Sequence, residues 1–220
     1  MSSDLSAGTD GPGDARPSAI PDELELRPGQ VSGALRFTEL FGRSAPVEIE
    51  VGVGKGRFVL EQAAARPEVD FLALEWSLKH LRVAKERAAR RKIRNVRFYR
   101  ADARHVVGHL VPASSISRLH VYCPDPWPKK RHHKRRFFTP STVKDLERIL
   151  RPGGYLNLST DVGEYFREIC ALLRDHTNLD EAVDPLFPPE RGSGNTNYEF
   201  KYLAEGRTIH RASWRRAVTS

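Results

Sequence analysis

Val47-Glu48-Ile49-Glu50-Val51-Gly52-Val53-Gly54-Lys55-Gly56 is the stretch on which the reading of the fold turns. The alternation of apolar and acidic residues over the first five predicts a strand. Three glycines at alternate positions then let the chain turn tightly. The apolar run from Phe58 to Ala65 predicts a helix stopped by Pro67. The same rhythm repeats downstream. Phe71 to Leu74 is a short apolar strand ending at Glu75, and Ser77 caps a helix carrying Leu78, Leu81, Ala84 and Ala88. Val96 to Tyr99 and Ile116 to Tyr122 are strands. Pro140 to Leu150 is a helix broken by Pro152-Gly153-Gly154, Tyr155 to Leu158 a strand, and Glu164 to Leu173 a helix. Tyr198 to Leu203 and Thr208 to Trp214 read as a closing antiparallel pair joined around Gly206. Strands alternating with helices predict an α/β domain over residues 46–220, with a mostly parallel, doubly wound sheet and an antiparallel C-terminal strand pair. Residues 22–45 form a lead-in element in which Gly29 and Gly33 argue against a long helix. Residues 1–21 have almost no large apolar side chain and read as a disordered tail.

The composition narrows the partners. Net charge is +8, but residues 1–30 carry six acids against Arg16 and Arg27, so the remaining 190 residues carry +12. A basic body of that size points to a polyanion, with nucleic acid first. Cys123 and Cys170 stand far apart without a CxxC, which argues against a disulfide framework or a zinc site. No apolar run reaches membrane-spanning length and the acidic N-terminus is no signal peptide, so a cytoplasmic protein with no membrane partner is expected.

The glycine loop selects a cofactor. A dinucleotide fingerprint G-x-G-x-x-G would need glycine at position 57, where Arg57 stands. G-x-G-x-G is instead the spacing common in S-adenosylmethionine sites. Glu75 closes the second strand, where a carboxylate accepts hydrogen bonds from both ribose hydroxyls. Asp102, just past the third strand, falls where a side chain meets an adenine. Glu50, Gly52, Gly54, Gly56, Glu75 and Asp102 are therefore the candidate cofactor residues. Open α/β sheets bind ligands at the carboxyl ends of their strands.

The fourth strand runs into Cys123-Pro124-Asp125-Pro126-Trp127-Pro128-Lys129-Lys130-Arg131-His132-His133-Lys134-Arg135-Arg136. Each proline fixes φ, removes a donor and restrains its predecessor, so Asp125 is held on a stiff segment that is neither helix nor central strand. Six fixed positive charges follow within eight residues. A rigid carboxylate beside an aromatic plane and a cationic strip suits a nucleobase on a polyanion. In a doubly wound sheet this segment faces the glycine loop across the switch point.

These residues match a known family. Over roughly residues 45–216 the chain resembles the bacterial tRNA (guanine-N7-)-methyltransferases. The likeness is carried by the Glu50 to Gly56 loop, by Pro124-Asp125-Pro126-Trp127-Pro128-Lys129 with the basic run behind it, by Ser159-Thr160-Asp161 and by Thr196-Asn197-Tyr198-Glu199. The resemblance implies a Rossmann-like class I fold and methyl transfer from S-adenosylmethionine to N7 of a guanine in the variable loop of tRNA. It implies that Glu50, Glu75, Asp102 and Asp125 line the cofactor site and that Asp125 is also the catalytic residue. It further implies that Lys129, Asp161, Thr196, Asn197, Tyr198 and Glu199 contact the substrate, and that Arg131, His132, His133, Lys134, Arg135 and Arg136 contact RNA. Arg27-Pro28-Gly29-Gln30 only loosely resembles the family's basic N-terminal segment.

Other residues invite blander readings. His105 and His109 have helical metal-pair spacing, but no third ligand is near, and no metal is expected. Lys79 to Arg104 holds eleven basic residues against Glu86 and Asp102, which makes either a solvated helix face or an extension of the RNA surface. Trp76 and Trp214 read as packing residues. Two other classes remain to be weighed. A nicotinamide-dependent oxidoreductase is disfavoured by Arg57 and by the lack of an evident acid–base pair. A non-catalytic RNA-binding protein on a decayed fold is disfavoured by the intact Glu50, Glu75 and Asp125. The oligomeric state is not readable from the sequence.

Overall fold

The computed structural model describes residues 22–27, 29, 31, 33–187 and 196–218; the tail expected over residues 1–21 lies outside them. In the lead-in, Glu25–Leu26 form strand β1 and Phe37–Phe41 helix α1. Val47–Val51 is β2, Arg57–Ala65 α2, Asp70–Leu74 β3, Leu78–Arg90 α3 and Val96–Tyr99 β4. Ala103–His105 is a short α4 that continues into a π-helical turn over Val106–Leu110. Ile116–Tyr122 is β5, Pro140–Ile149 α5, Leu150–Thr160 β6 and Gly163–His176 α6. Leu179–Ala182 is β7, Asn197–Ala204 α7 and His210–Arg216 β8.

The eight strands form one sheet in the order β1-β4-β3-β2-β5-β6-β8-β7. Only β8 runs against its neighbours β6 and β7. The sheet order reverses between β2 and β5, which pair in parallel with Glu50 opposite His120. That reversal splits the loops that follow β2 and β5, opening a crevice at the carboxyl ends of the strands.

Local chemistry explains the elements. The Ser77 hydroxyl accepts from His80 N at the start of α3, and the buried residues Leu81, Ala84 and Ala88 repeat at steps of three and four. Thr139 caps α5, with Pro140 in the first turn where its missing N–H costs nothing. One face of the sheet is covered by α5 and α6, whose Val143, Leu146, Ile149, Ile169 and Leu173 pack on Ile49, Leu119, Leu156 and Leu158. On the other face α2 and α3 cover β3 and β4 through Val59, Leu60, Leu81 and Ala84. Gly56, with φ of 75°, joins these helices; a Cβ there would lie 2.9 Å from the Ala84 Cβ. Glycine is needed at this position for α2 and α3 to approach.

The expected C-terminal strand pair takes a different form. Tyr198 to Leu203 is helix, and the reversed strand β8 pairs with β7 and β6 instead. The cause is a capping box: the Thr196 hydroxyl accepts from Glu199 N at 3.1 Å, and the Glu199 carboxylate accepts from Thr196 N at 3.1 Å. Two first-turn donors are satisfied reciprocally, which outweighs the β-propensity of Tyr198, Phe200 and Tyr202. The T-x-x-E spacing carried this signal in the sequence.

On the α2 face, where Phe58 of α2 packs 4.8 Å from both His120 and Tyr122, β2, β5 and β6 bury a polar network. Glu48, fully buried, accepts two bonds from Arg66 at 2.6 and 2.8 Å and one from Arg118 at 3.3 Å. Arg118 also pairs with buried Asp184 at 2.8 Å. His120 lies 3.0 Å from Glu48 through Nε2 and 3.1 Å from the Tyr122 hydroxyl through Nδ1. Asn157 donates to Asp184, and Ser213 donates to Asn157. The ring of Phe187 caps the network from the segment after β7, 4.9 Å from His120.

Candidate functional site

A cleft of about 850 Å³ opens at the carboxyl ends of the strands. The glycine loop, the turn after β3, the turn into α4, the Cys123 to Trp127 segment, Asp161 and two tyrosines of α7 line it. The volume suits a nucleoside-sized ligand.

The glycine loop is held from below. Gly52 N and Val53 N both donate to Leu74 O, so the loop leaves β2 and bends over the end of β3. Gly52 and Gly54 have positive φ, and a Cβ on Gly52 would meet open space. Glu75 fixes the rim: one carboxylate oxygen accepts from Gly54 N at 2.8 Å and the other from Ser77 N at 2.7 Å. Each oxygen keeps a lone pair for a further donor. Asp102 accepts from Arg104 N at 2.9 Å and pairs with the Arg104 guanidinium at 3.1 Å. Burial pushes the Asp102 carboxyl up, but the bonds to Arg104 outweigh it and hold it below the usual carboxylate range. Arg104 also donates to Lys134 O at 3.0 Å, tying this rim to the basic run.

The opposite wall is the Pro-Asp-Pro segment. Cys123 (φ 49°) and Trp127 (φ 42°) are both in the left-handed region, and each precedes a proline. A non-glycine residue held there stores of order 1–3 kcal/mol, which the surroundings must offset. Cys123 N donates to Ser159 O at 2.8 Å. Arg136 supplies the other anchor: its Nε donates to Pro126 O at 2.8 Å, its guanidinium pairs with Glu168, and it lies 4.6 Å over the Tyr165 ring. Asp125 is exposed to the cleft on this braced loop. Trp127 is half-buried, with Arg135 at 5.0 Å over its ring and His132 edge-on at 5.9 Å.

The candidate residues thus separate. Gly52, Gly54, Glu75, Asp102, Asp125, Arg135, Asp161 and Tyr198 line the cleft. Glu50 lies beneath the glycine loop, 2% exposed, with one carboxylate oxygen lacking a protein partner; burial pushes its carboxyl up to about 8. Gly56 faces α3. Lys130 to Arg135 form a 3-10 turn on the surface, preceded by Lys129. Arg136 is a strut, 12% exposed, unlike its neighbours. Glu199 is buried, close to Arg211 of β8 at 3.4 Å. Thr196 and Asn197 do not line the cleft. Trp214 is a packing residue at 3% exposure, whereas Trp76 is 69% exposed at the cleft rim.

Within the 79–104 stretch, the side chains divide by partner. Lys85 pairs with Glu25 inside the lead-in at 2.5 Å, and Arg97 donates to Leu40 O. Arg82 and Arg94 form ion pairs with Glu86 and Glu23. Lys79, Arg90, Arg91, Lys92 and Arg100 stay exposed.

Arg104, Tyr202 and Arg207 were not singled out in the sequence, yet all three line the cleft. Tyr202 was hidden by reading α7 as a strand, and Arg207 by its place in the turn between the two expected strands. The helical capping box would have put Tyr198 and Tyr202 on one face.

These residues fit S-adenosylmethionine. The glycines leave room for close backbone approach, and Glu75 is pre-set for two hydroxyls by two backbone donors. Among the described residues no group of three or more His, Cys, Asp and Glu side chains is arranged to hold a metal ion, and no helix is long and apolar enough to cross a membrane.

Residues 44–212 match the model of a family described as putative methyltransferase. A tRNA (guanine-N(7)-)-methyltransferase of Alkalilimnicola ehrlichii is 37% identical over 80% of this chain and 74% of its own. That of Myxococcus xanthus is 32% identical over 90% of this chain and 97% of its own. Among solved structures, the 16S rRNA methyltransferase KamB superposes with a TM-score of 0.60 at 15% identity, over 89% of this chain and 95% of that one. That likeness shows the fold.

Proposed function

Since this chain belongs to the tRNA (guanine-N7-)-methyltransferase family, we propose that it transfers a methyl group from S-adenosylmethionine to N7 of a guanine in the variable loop of tRNA. One observation carries the proposal. A glycine loop locked to a carboxylate and a proline-braced aspartate face each other across one switch-point cleft.

Little chemistry is asked of the side chains. Guanine N7 carries an in-plane lone pair and no proton, so no group has to remove one before attack. Glu75, Gly52 and Gly54 would hold the cofactor, with Asp102 on its adenine side. Bound S-adenosylmethionine supplies an already activated methyl group. What remains for the protein is alignment and compensation of the positive charge that appears on the ring. Asp125 serves both, accepting from guanine N–H groups and opposing the cation. The braced backbone on either side keeps that carboxylate from relaxing away. Arg104 must share or release Asp102 when an adenine amine arrives, since the two compete for the same oxygens.

The primary test is methylation of bulk tRNA, with the modified nucleotide mapped by mass spectrometry. Product at guanine N7 in the variable loop supports the proposal, and its absence with folded protein overturns it. Glu75→Ala is expected to lower S-adenosylmethionine affinity roughly ten- to hundredfold, since lost charge-assisted bonds are worth about 1.5–3 kcal/mol. tRNA binding should hardly change. Equilibrium dialysis reads both, and unaltered cofactor affinity removes Glu75 from the site.

A second expectation concerns the 3-10 turn. Replacing Lys130, Arg131 and Lys134 by Ala should flatten the log–log salt dependence of tRNA binding by about 2–3, at roughly 0.7–0.9 per phosphate. An Arg136→Ala variant should instead lose activity without matching that slope change, because its guanidinium braces Pro126. Equal slopes in the triple variant and the parent would make the turn a solvated face.

A further inference from the structure

Arg104 joins two walls of the cleft. Its Nη2 and Nε donate to the Asp102 carboxylate at 3.1 and 3.4 Å, and its Nη1 donates to Lys134 O at 3.0 Å. Asp102 stands on the side of the cleft assigned above to the adenine. Lys134 belongs to the 3-10 turn Lys130–Arg135, on which Lys130, Arg131, Lys134 and Arg135 are all exposed. One guanidinium therefore reaches from the carboxylate on the cofactor side to the backbone that carries the exposed cations. The pair with Asp102 is open to exchange, with side chains 40% and 46% exposed.

The two attachments of Arg104 answer differently to a ligand. Asp102 also accepts from Arg104 N at 2.9 Å, and that backbone bond holds the carboxylate in place whatever the side chain does. The pairing cancels most of the Arg104 charge beside the turn. The exocyclic amine of an adenine is a donor and uses the same carboxylate oxygens. When Asp102 serves that amine, the guanidinium loses much of its hold there, while its bond to Lys134 O is untouched. It then adds an uncompensated cation to those of the turn. We infer that Arg104 is a further RNA-binding residue, kept paired on Asp102 until the cofactor is in place, so that cofactor and tRNA bind cooperatively.

The inference rests on the methyl-transfer reading above and adds to it a coupling between the two ligands. A ligand shifts such an equilibrium only through a difference in what it contacts in the two states, and here that difference is the set of donors on Asp102. The coupling is reciprocal, so tRNA must favour the cofactor by the same factor.

The test measures tRNA binding to the full chain over a series of salt concentrations, with and without saturating S-adenosylhomocysteine. This probe carries no sulfonium charge and no methyl group to transfer, so any added positive charge comes from the protein. In the parent it is expected to tighten tRNA binding roughly two- to fivefold, the range of a partly exposed ion pair. The log–log salt slope should steepen by about 0.7–0.9, one further phosphate. Saturating tRNA should tighten S-adenosylhomocysteine by the same factor. Arg104→Ala should bind tRNA alone as the parent does, since that charge is already paired without the cofactor, and should show no steepening. Arg104→Lys keeps the cation and should restore it. A parent slope unchanged by S-adenosylhomocysteine overturns the coupling, as does steepening that survives in Arg104→Ala or is absent from Arg104→Lys. Weaker tRNA binding by Arg104→Ala, equal with and without the probe, would make Arg104 a strut for the turn and overturns it too. Failure of the parent to bind either ligand overturns the functional reading and the coupling with it. Failure to methylate tRNA with both ligands bound overturns the functional reading alone, while the slopes still decide Arg104.

Discussion

Asp125→Ala is expected to lower kcat for tRNA methylation by roughly 10²–10³, the cost of removing one preorganised electrostatic contact at a reacting centre. Asp125→Asn should keep more. Its amide oxygen still accepts a hydrogen bond from guanine, but the negative charge opposing the cationic ring is gone. Folding should be untouched, because Asp125 is exposed and the loop is held by Cys123 N on Ser159 O and by Arg136 on Pro126 O. Because N7 carries no proton, the parent rate should show no rise due to deprotonating a base between about pH 6 and 8. An RNA with 7-deazaguanine at the target should bind and remain unmodified. Single-turnover kinetics at saturating cofactor checks the first three statements. Asn activity equal to the parent's would remove the charge argument, and methylation of the 7-deaza RNA at that nucleotide would move the acceptor away from N7.

Glu48→Ala is expected to destabilise the fold by about 3–5 kcal/mol, because it leaves Arg66 and Arg118 facing a buried site with one acceptor gone. For a chain of this size that corresponds to roughly 6–20 °C in Tm. The pH dependence follows from two groups. Burial pushes Glu48 up, but the hydrogen bonds from His120 and Arg66 outweigh it and hold the carboxyl at about 2, below its ordinary 4.5. Its stabilisation is therefore complete above pH 4.5 and lost as pH falls towards 2. Burial pushes His120 down from its ordinary 6.5, despite the opposing pull of Glu48. The unfolded chain then binds a proton at His120 that the folded chain refuses, so stability also falls as pH drops below 6.5. Neutral His120 donates from Nε2 to Glu48 and accepts the Tyr122 hydroxyl at Nδ1, which leaves neither ring nitrogen without a partner. Calorimetric melts of parent and variant from pH 7 to pH 2 check both effects. An unchanged Tm in Glu48→Ala would mean that water already reaches the pair.

Whereas β7, Leu179-Asp180-Glu181-Ala182, has no strand-like run and α7 read as a strand, the order of β2 to β6 with α2, α3, α5 and α6 was legible from short strand-like runs closed by turn residues or acids. The loop chemistry was legible for the same reason. Residues that end a parallel strand must lie at one edge of the sheet, so Gly52, Glu75, Asp102, Asp125 and Asp161 were bound to meet there. The basic run was legible as charge. Which charges are spent was not: Arg136 turns inward to Glu168 and Pro126, Arg104 crosses to Lys134, and Lys85 is enclosed by Glu25. A side chain's direction depends on partners far away in the chain, and no local pattern carries that.

The alternation of Val47 to Val51 shows the division most clearly. By itself it determined a strand, since apolar residues at every second position fit only one period. It also placed Glu48 and Glu50 on one face, as any strand must. The tertiary structure alone decided what that face meets. Pairing with β3 and β5 made β2 central, so the acidic face was buried rather than solvated. Charge burial is then set by the company available. Glu48 meets Arg66, Arg118 and His120 and stays ionised, whereas Glu50, two residues on, meets no cation and takes up a proton more readily. Two identical side chains on one strand acquire different charge states because desolvation acts on both and compensation reaches only one.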